Sequence, residues 1–138
     1  MSLKYVANED LTVAFDNLAG PPGIAYSEDV GIDAVAVKPI LSIKCKALDK
    51  QVATSSITII WSPALPCPHT AAGHIFTAGA GTITATATKT KAAGNLVLRV
   101  EDTGNCKGSW VNSSTSATVP CSCNCEISDA GQAKAKAQ

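Results

Sequence analysis

Hydrophobic and polar positions alternate with a period of two over much of this chain, and a helical period is nearly absent. Three segments carry the alternation best: Leu41–Ala47, Thr82–Thr90 and Gln132–Ala137. In each, small or apolar residues fall on one face (Ile43 and Cys45; Ile83, Ala85 and Ala87; Ala133, Ala135 and Ala137), with Lys, Ser or Thr on the other. The pattern predicts an all-β fold. Leu48-Asp49-Lys50 leads from the first segment into Gln51–Trp61, and Lys91–Asn95 leads from the second into Leu96–Val100, so both are expected to be hairpins, with Gly94-Asn95 the stronger turn signal.

The second and third segments are each preceded by a stretch that reads as a cysteine-bearing loop and a small-residue corner, Cys67–Gly81 and Cys121–Gly131. Together they form a weak internal repeat of about 45 to 50 residues, the size of one supersecondary unit. The expected shape is a small tapering cone or prism of repeated β-hairpins. Ala, Thr, Ser and Gly would line its narrow end, and Ile57, Ile59, Trp61, Leu96, Leu98 and Val100 would pack against the alanine-lined strands. An ordinary β-sandwich with alternating edge strands fits the same composition. Residues 1–40 do not repeat the pattern: 17–23 is a turn-rich break and 27–33 is acidic, so they are expected to be an irregular N-terminal elaboration on a repeat domain of residues 41–138. Ser109–Val119, rich in Ser, Thr and Asn, reads as an exposed loop.

With 138 residues the chain suits one domain. Eleven basic and eleven acidic residues cancel, which leaves no overall electrostatic footprint for nucleic acid or an anionic membrane. The N-terminus lacks the basic start and apolar run of a secretory signal, so synthesis in the cytoplasm is expected. The best candidate for a membrane span, Ile57–Trp61, is stopped at Pro63, far short of the roughly 18 apolar residues required.

Six cysteines and two histidines are the candidate chemistry. Cys67, His69, His74, Cys106, Cys121, Cys123 and Cys125 offer thiolate and imidazole donors that suit zinc and also iron, and one structural metal could tie down an end too thin for hydrophobic burial. Paired Cys-x₂-Cys spacing is missing, and the even count fits disulfides equally well. Cys45, on an apolar strand face, reads as a small hydrophobe. Catalysis is not expected. Cys67 and His69 are two residues apart with no third orienting group, Glu101 and Asp102 are adjacent and so point to opposite strand faces, and Gly79-Ala80-Gly81 lacks the helix and lysine of a phosphate loop.

Cys67-Pro68-His69, the run Gly79–Ile83 with its alternating strand, and Gly94–Gly104 together resemble the repeating unit of PAAR-like spike-tip proteins, and Cys125–Lys136 looks like the start of another unit. The likeness covers roughly residues 41–138. Leu96-Val97-Leu98-Arg99 stands where the family has its name-giving tetrapeptide, and Glu101 where glycine is usual. The resemblance implies a non-enzymatic structural tip, one copy per particle, on the trimeric β-helical spike of a contractile phage tail or injection system. It would be assembled into that particle, would cap the spike, and would meet the target outer membrane transiently. It also implies a tip metal, zinc ahead of iron, for which Cys67, His69, His74, Cys106 and Cys123 are the candidate ligands. The alternative is a disulfide-stapled β-sandwich acting as a binding or virion decoration module.

Overall fold

The computed structural model describes residues 3–19, 32–63 and 73–138, and all of its regular structure is β. Ten strands follow in order: β1 (Lys4–Tyr5), β2 (Thr12–Ala19), β3 (Ile32–Ala47), β4 (Lys50–Pro63), β5 (His74–Thr84), β6 (Lys91–Ala92), β7 (Asn95–Leu96), β8 (Thr103–Asn112), β9 (Thr118–Asp129) and β10 (Lys136–Ala137). Six long strands make one antiparallel curled sheet in the order β2-β9-β8-β5-β4-β3, and its outer strands β2 and β3 touch without a ladder between them. The architecture is a single sheet wrapped on itself rather than two packed sheets. Period-two burial builds its interior: Ile57, Ile59 and Trp61 of β4 face in while Thr58 and Ile60 face out, and Cys121, Cys123, Cys125 and Ile127 of β9 face in while Ser122, Asn124, Glu126 and Ser128 face out.

The register exposes a threefold repetition. Lys46-Ala47, Lys91-Ala92 and Lys136-Ala137, each 45 residues after the last, pair in the same way with Lys50-Gln51, Asn95-Leu96 and Lys4-Tyr5. The following residues, Val6-Ala7-Asn8, Val52-Ala53-Thr54 and Val97-Leu98-Arg99, are all buried and bridge one another (Val6 to Arg99, Asn8 to Val52, Thr54 to Val97). A closed ring of backbone hydrogen bonds joins them: Ala7 donates to the Leu98 carbonyl (2.8 Å), Leu98 to Ala53 (2.9 Å) and Ala53 to Ala7 (2.9 Å). Each unit is therefore an antiparallel pair of long strands, β3/β4, β5/β8 and β9/β2, one end of which enters this ring. Units meet through β4–β5, β8–β9 and the β2/β3 contact.

Two stacked apolar layers follow from the ring. Val6, Val52 and Val97 with Ala47, Ala87, Ala92 and Ala137 fill the hairpin end. Ala7, Ala53 and Leu98 belong instead to the larger core of Ile57, Ile59, Trp61, Ile83, Trp110, Ile127 and the cysteines. Burying such side chains contributes about 25 cal/mol per Å² of apolar surface, so the bulky core carries most of the stability. Side-chain size thus grades along the axis, from Ala and Val at the hairpin end to Trp61, Phe76 and Trp110 near the other, where Phe76 packs against both indoles at ring separations of 5.0 and 5.2 Å.

The first expected hairpin forms, and the second is reduced to a two-pair ladder, since β5 ends at Thr84 and β7 covers only Asn95–Leu96 of the expected strand Leu96–Val100. Each turns on two residues with positive φ, Leu48-Asp49 and Ala93-Gly94, the geometry that matches the strand twist. Other expectations change. The boundary at residue 40 falls inside β3, and β2 is a strand of the main sheet, so residues 12–19 and 32–40 belong to the same body as the repeats. The turn-rich break expected at 17–23 begins inside β2, which runs to Ala19, and the rest of it and most of the acidic 27–33 lie outside the described residues. Gly79-Ala80-Gly81 is mid-strand in β5 and Cys121–Asp129 is strand β9, so neither is a corner or loop. Only 113–117 separates β8 from β9, so Ser109–Val119 is mostly hairpin strand.

Ile43, expected to face inward, is 82% exposed, and Cys45 is only half-buried. Ser42 turns in instead, and its hydroxyl accepts from the Lys44 and Cys45 amides (3.3 and 3.1 Å). The same local turn inverts the last segment: the buried Gln132 amide oxygen accepts from Lys134 and Ala135 (2.7 and 2.8 Å), leaving Ala133 and Ala135 exposed. Short side chain to backbone bonds of this kind compete with the ladder and flip the face. The middle unit has Ala87 at that position, and Ile83, Ala85 and Ala87 keep the expected side.

Candidate functional site

Of the five candidate metal ligands, the structure brings two together. Cys106 of β8 stands directly opposite Cys123 of β9. His74, at the start of β5, pairs with Asn112, whereas Gly81 of the same strand pairs with Cys106. Seven residues of strand at about 3.3 Å each place His74 roughly 20 Å from the thiols, too far to share one coordination sphere with them. Cys67 and His69 lie outside the described residues. Among the described residues no group of three or more His, Cys, Asp or Glu side chains is arranged to hold a metal ion. The five as a set therefore do not fit one centre.

What β8 and β9 build is a layer of four buried thiols, Cys106, Cys121, Cys123 and Cys125. The alternating Cys-x-Cys-x-Cys of β9 puts three on one face, and Cys106 meets them from β8. The Cys106 and Cys125 sulfurs are 3.0 Å apart. Glycines make the room: a Cβ on Gly81 would sit 2.4 Å from the Cys106 sulfur, and Cys121 and Cys125 face Gly108 and Gly104 across the strand pair. Burial pushes the Cys106 and Cys121 thiols up to about 11 and that of Cys125 to about 12, so they hold their protons at neutral pH. At neutral pH such thiols pack as small hydrophobes.

A second constellation lies at the ring. Asn8, Thr54 and Arg99 occupy equivalent buried positions. Asn8 Nδ2 donates to the Ala47 carbonyl (3.0 Å) and Arg99 Nη1 to the equivalent Ala137 carbonyl (3.4 Å), so each ties its unit to the hairpin tip of the next. Thr54 is too short to do so and donates to Ile40 of its own hairpin (3.3 Å). Asp102 balances the Arg99 charge: it accepts from the Arg99 amide (2.9 Å) and from the Thr86 hydroxyl, which in turn accepts from Arg99 Nη2 (3.0 Å). Buried charges are tolerated when paired and hydrogen-bonded in this way.

Around the hairpin end stand Lys4, Lys44, Lys46, Lys50, Lys89, Lys91, Lys134 and Lys136, eight of the eleven basic residues of the chain. Their distribution is again threefold, as Lys-x-Lys-Ala recurs at 44–47, 89–92 and 134–137. Two equivalent ion pairs link neighbouring units, Lys4 to Glu101 (3.0 Å) and Lys50 to Asp10 (4.0 Å), while the third position carries Asn95 and Ser56. Lys136 lies over the Tyr5 ring at 4.6 Å. The cancelling charges read in sequence as no overall footprint, and this collar was missed, although the thrice-repeated tetrapeptide was its visible signal. Among the described residues no helix is long and apolar enough to cross a membrane. No family model, no curated protein and no solved structure matches the chain.

Proposed function

We propose that this protein is the structural tip of the central spike of a contractile tail or injection machine, one copy capping a trimeric β-helical spike. The observation that supports the reading is the internal threefold: one chain presents three near-equivalent hairpin units around a common axis, closed by the Ala7, Ala53 and Leu98 ring. A monomer built this way offers each chain of a coaxial trimer a similar surface, a match that an asymmetric monomer cannot make. The gradation of side-chain size orients it. The hairpin end, filled by Ala and Val, leads, and the end near Trp61, Phe76 and Trp110 meets the spike. The function is mechanical, with no catalytic step.

The test is co-expression with a trimeric β-helical spike protein from the same genome, followed by native mass spectrometry. One chain per spike trimer is expected, and charge reversal at Lys46 and Lys91 on the leading end leaves assembly unchanged. Absence of a complex, or a stoichiometry of one chain per spike chain, sinks the proposal.

A further inference from the structure

Cys106 and Cys125 sit diagonally across the β8–β9 pair with their sulfurs 3.0 Å apart, only about 1 Å beyond a bonded pair. Cys123, directly opposite Cys106, and Cys121 share the same face. A solvent groove lined by Thr103, Gly104, Asn105, Asn124, Cys125 and Glu126 borders the strand pair at Cys125, whose own side chain is buried. We infer that Cys106 and Cys125 are an oxidation site, which a small peroxide converts to a cross-strand disulfide closing the β8–β9 hairpin.

The chemistry balances with one equivalent of oxidant. The Cys125 thiolate attacks one peroxide oxygen, breaking the O–O bond. This leaves a sulfenic acid on Cys125 and releases hydroxide, which takes the thiol proton to become water. The Cys106 sulfur then displaces the sulfenic hydroxyl, forming the S–S bond and releasing a second water. Two thiols are oxidised and one peroxide is reduced to two waters. The inference is independent of the spike-tip reading, since it rests on the strand pair alone.

Peptide mapping of the full chain decides it. The folded protein is treated with hydrogen peroxide, remaining thiols are alkylated in denaturant, and the chain is cut with trypsin without reductant. Cleavage after Arg99 and Lys107 separates Cys106 from the peptide that holds Cys121, Cys123 and Cys125, so a joined pair of these peptides is expected, two hydrogens lighter than their sum. Fragmentation places the link at Cys125. It persists in Cys123→Ser and is lost in Cys125→Ser. A link to Cys123 or Cys121, or Cys106 and Cys125 both still alkylated after treatment, overturns the inference. Should Cys125→Ser not fold, the wild-type map and Cys123→Ser still separate a Cys125 link from the other outcomes.

Discussion

Leu98, Ala53 and Ala7 occupy equivalent positions in the backbone ring, all three fully buried in the same core, so the axis holds one large side chain and two small ones. Moving the large side chain to another unit tests whether the threefold is physical. Leu98→Ala alone empties the axis and costs about 2–5 kcal/mol, the range for a buried leucine whose surroundings relax only in part. Ala53→Leu alone forces a second leucine into filled space and costs about 1–3 kcal/mol. Placed together, the new leucine enters the volume the old one vacated. The double variant should then be more stable than the sum of the two losses by at least about 1 kcal/mol, well above the roughly 0.5 kcal/mol scatter of independent sites. Urea unfolding followed by the fluorescence of the buried Trp61 and Trp110 measures all four proteins in one assay. Additive losses would mean that the two positions do not share a space, and the axial packing argument would fall with them.

Asp102→Asn leaves Arg99 buried without its counter-charge and should cost about 3 kcal/mol in the same assay, whereas Thr86→Val, which removes only the bridging hydroxyl, should cost about 1 kcal/mol. Gly81→Ala drives a methyl against the Cys106 sulfur and should cost about 1–3 kcal/mol, with part recovered in the Gly81→Ala, Cys106→Ala double variant. Ile43→Ser should lie within about 0.5 kcal/mol of wild type, despite the apolar alternation around it, because the side chain is exposed. The thiols give a pH signature. Their folded pKa values of about 11 and 12 lie above the ordinary 9.0, so the stability they contribute is complete below pH 9 and is lost as pH rises through 11 to 12. Urea midpoints should fall across that window, less steeply in Cys125→Ala, and an equally steep fall in that variant would assign the loss to other groups.

Alternation made the all-β class legible, because period two survives wherever one strand face is buried, as in Ile57-Thr58-Ile59-Ile60-Trp61 and Cys121–Ile127. It misplaced faces where a side chain captured the backbone. Ser42 and Gln132 each accept two amides just downstream, and nothing in an alternating apolar pattern announces such a turn before the register is known. Gly79 and Gly81 read as a corner for a related reason. A glycine signals either a turn or a close approach, and here the cause is tertiary: Cβ atoms at these positions would meet Trp61 and Cys106. The cysteines of β9 suggested ligands because spacing alone does not separate donors from small hydrophobes, and the burial that raises the Cys121 and Cys125 thiols follows from the curl of the sheet, which spacing does not show.

The repeat was legible in length but not in number. A period of about 45 residues was visible across two units, while the third is assembled from both ends of the numbering, β9 and β10 with β1 and β2. Its Lys136-Ala137 meets Lys4-Tyr5 across the ladder, so no contiguous window contains the unit, and β1 and β2 read as an elaboration because their ladder partners are more than a hundred positions away. The divergence of the units has a physical logic as well. Where two units place Leu11 and Ile57 in the apolar interior, the middle one places Asp102, and Arg99 and Thr86 change with it, so three positions that look unrelated in sequence compensate one another in space. Threefold shape is kept by backbone bonds, while side chains are free to differ wherever a neighbour answers the change. This predicts that substitutions across the ring are tolerated in compensating sets and poorly tolerated alone, which the Leu98 and Ala53 exchange measures directly.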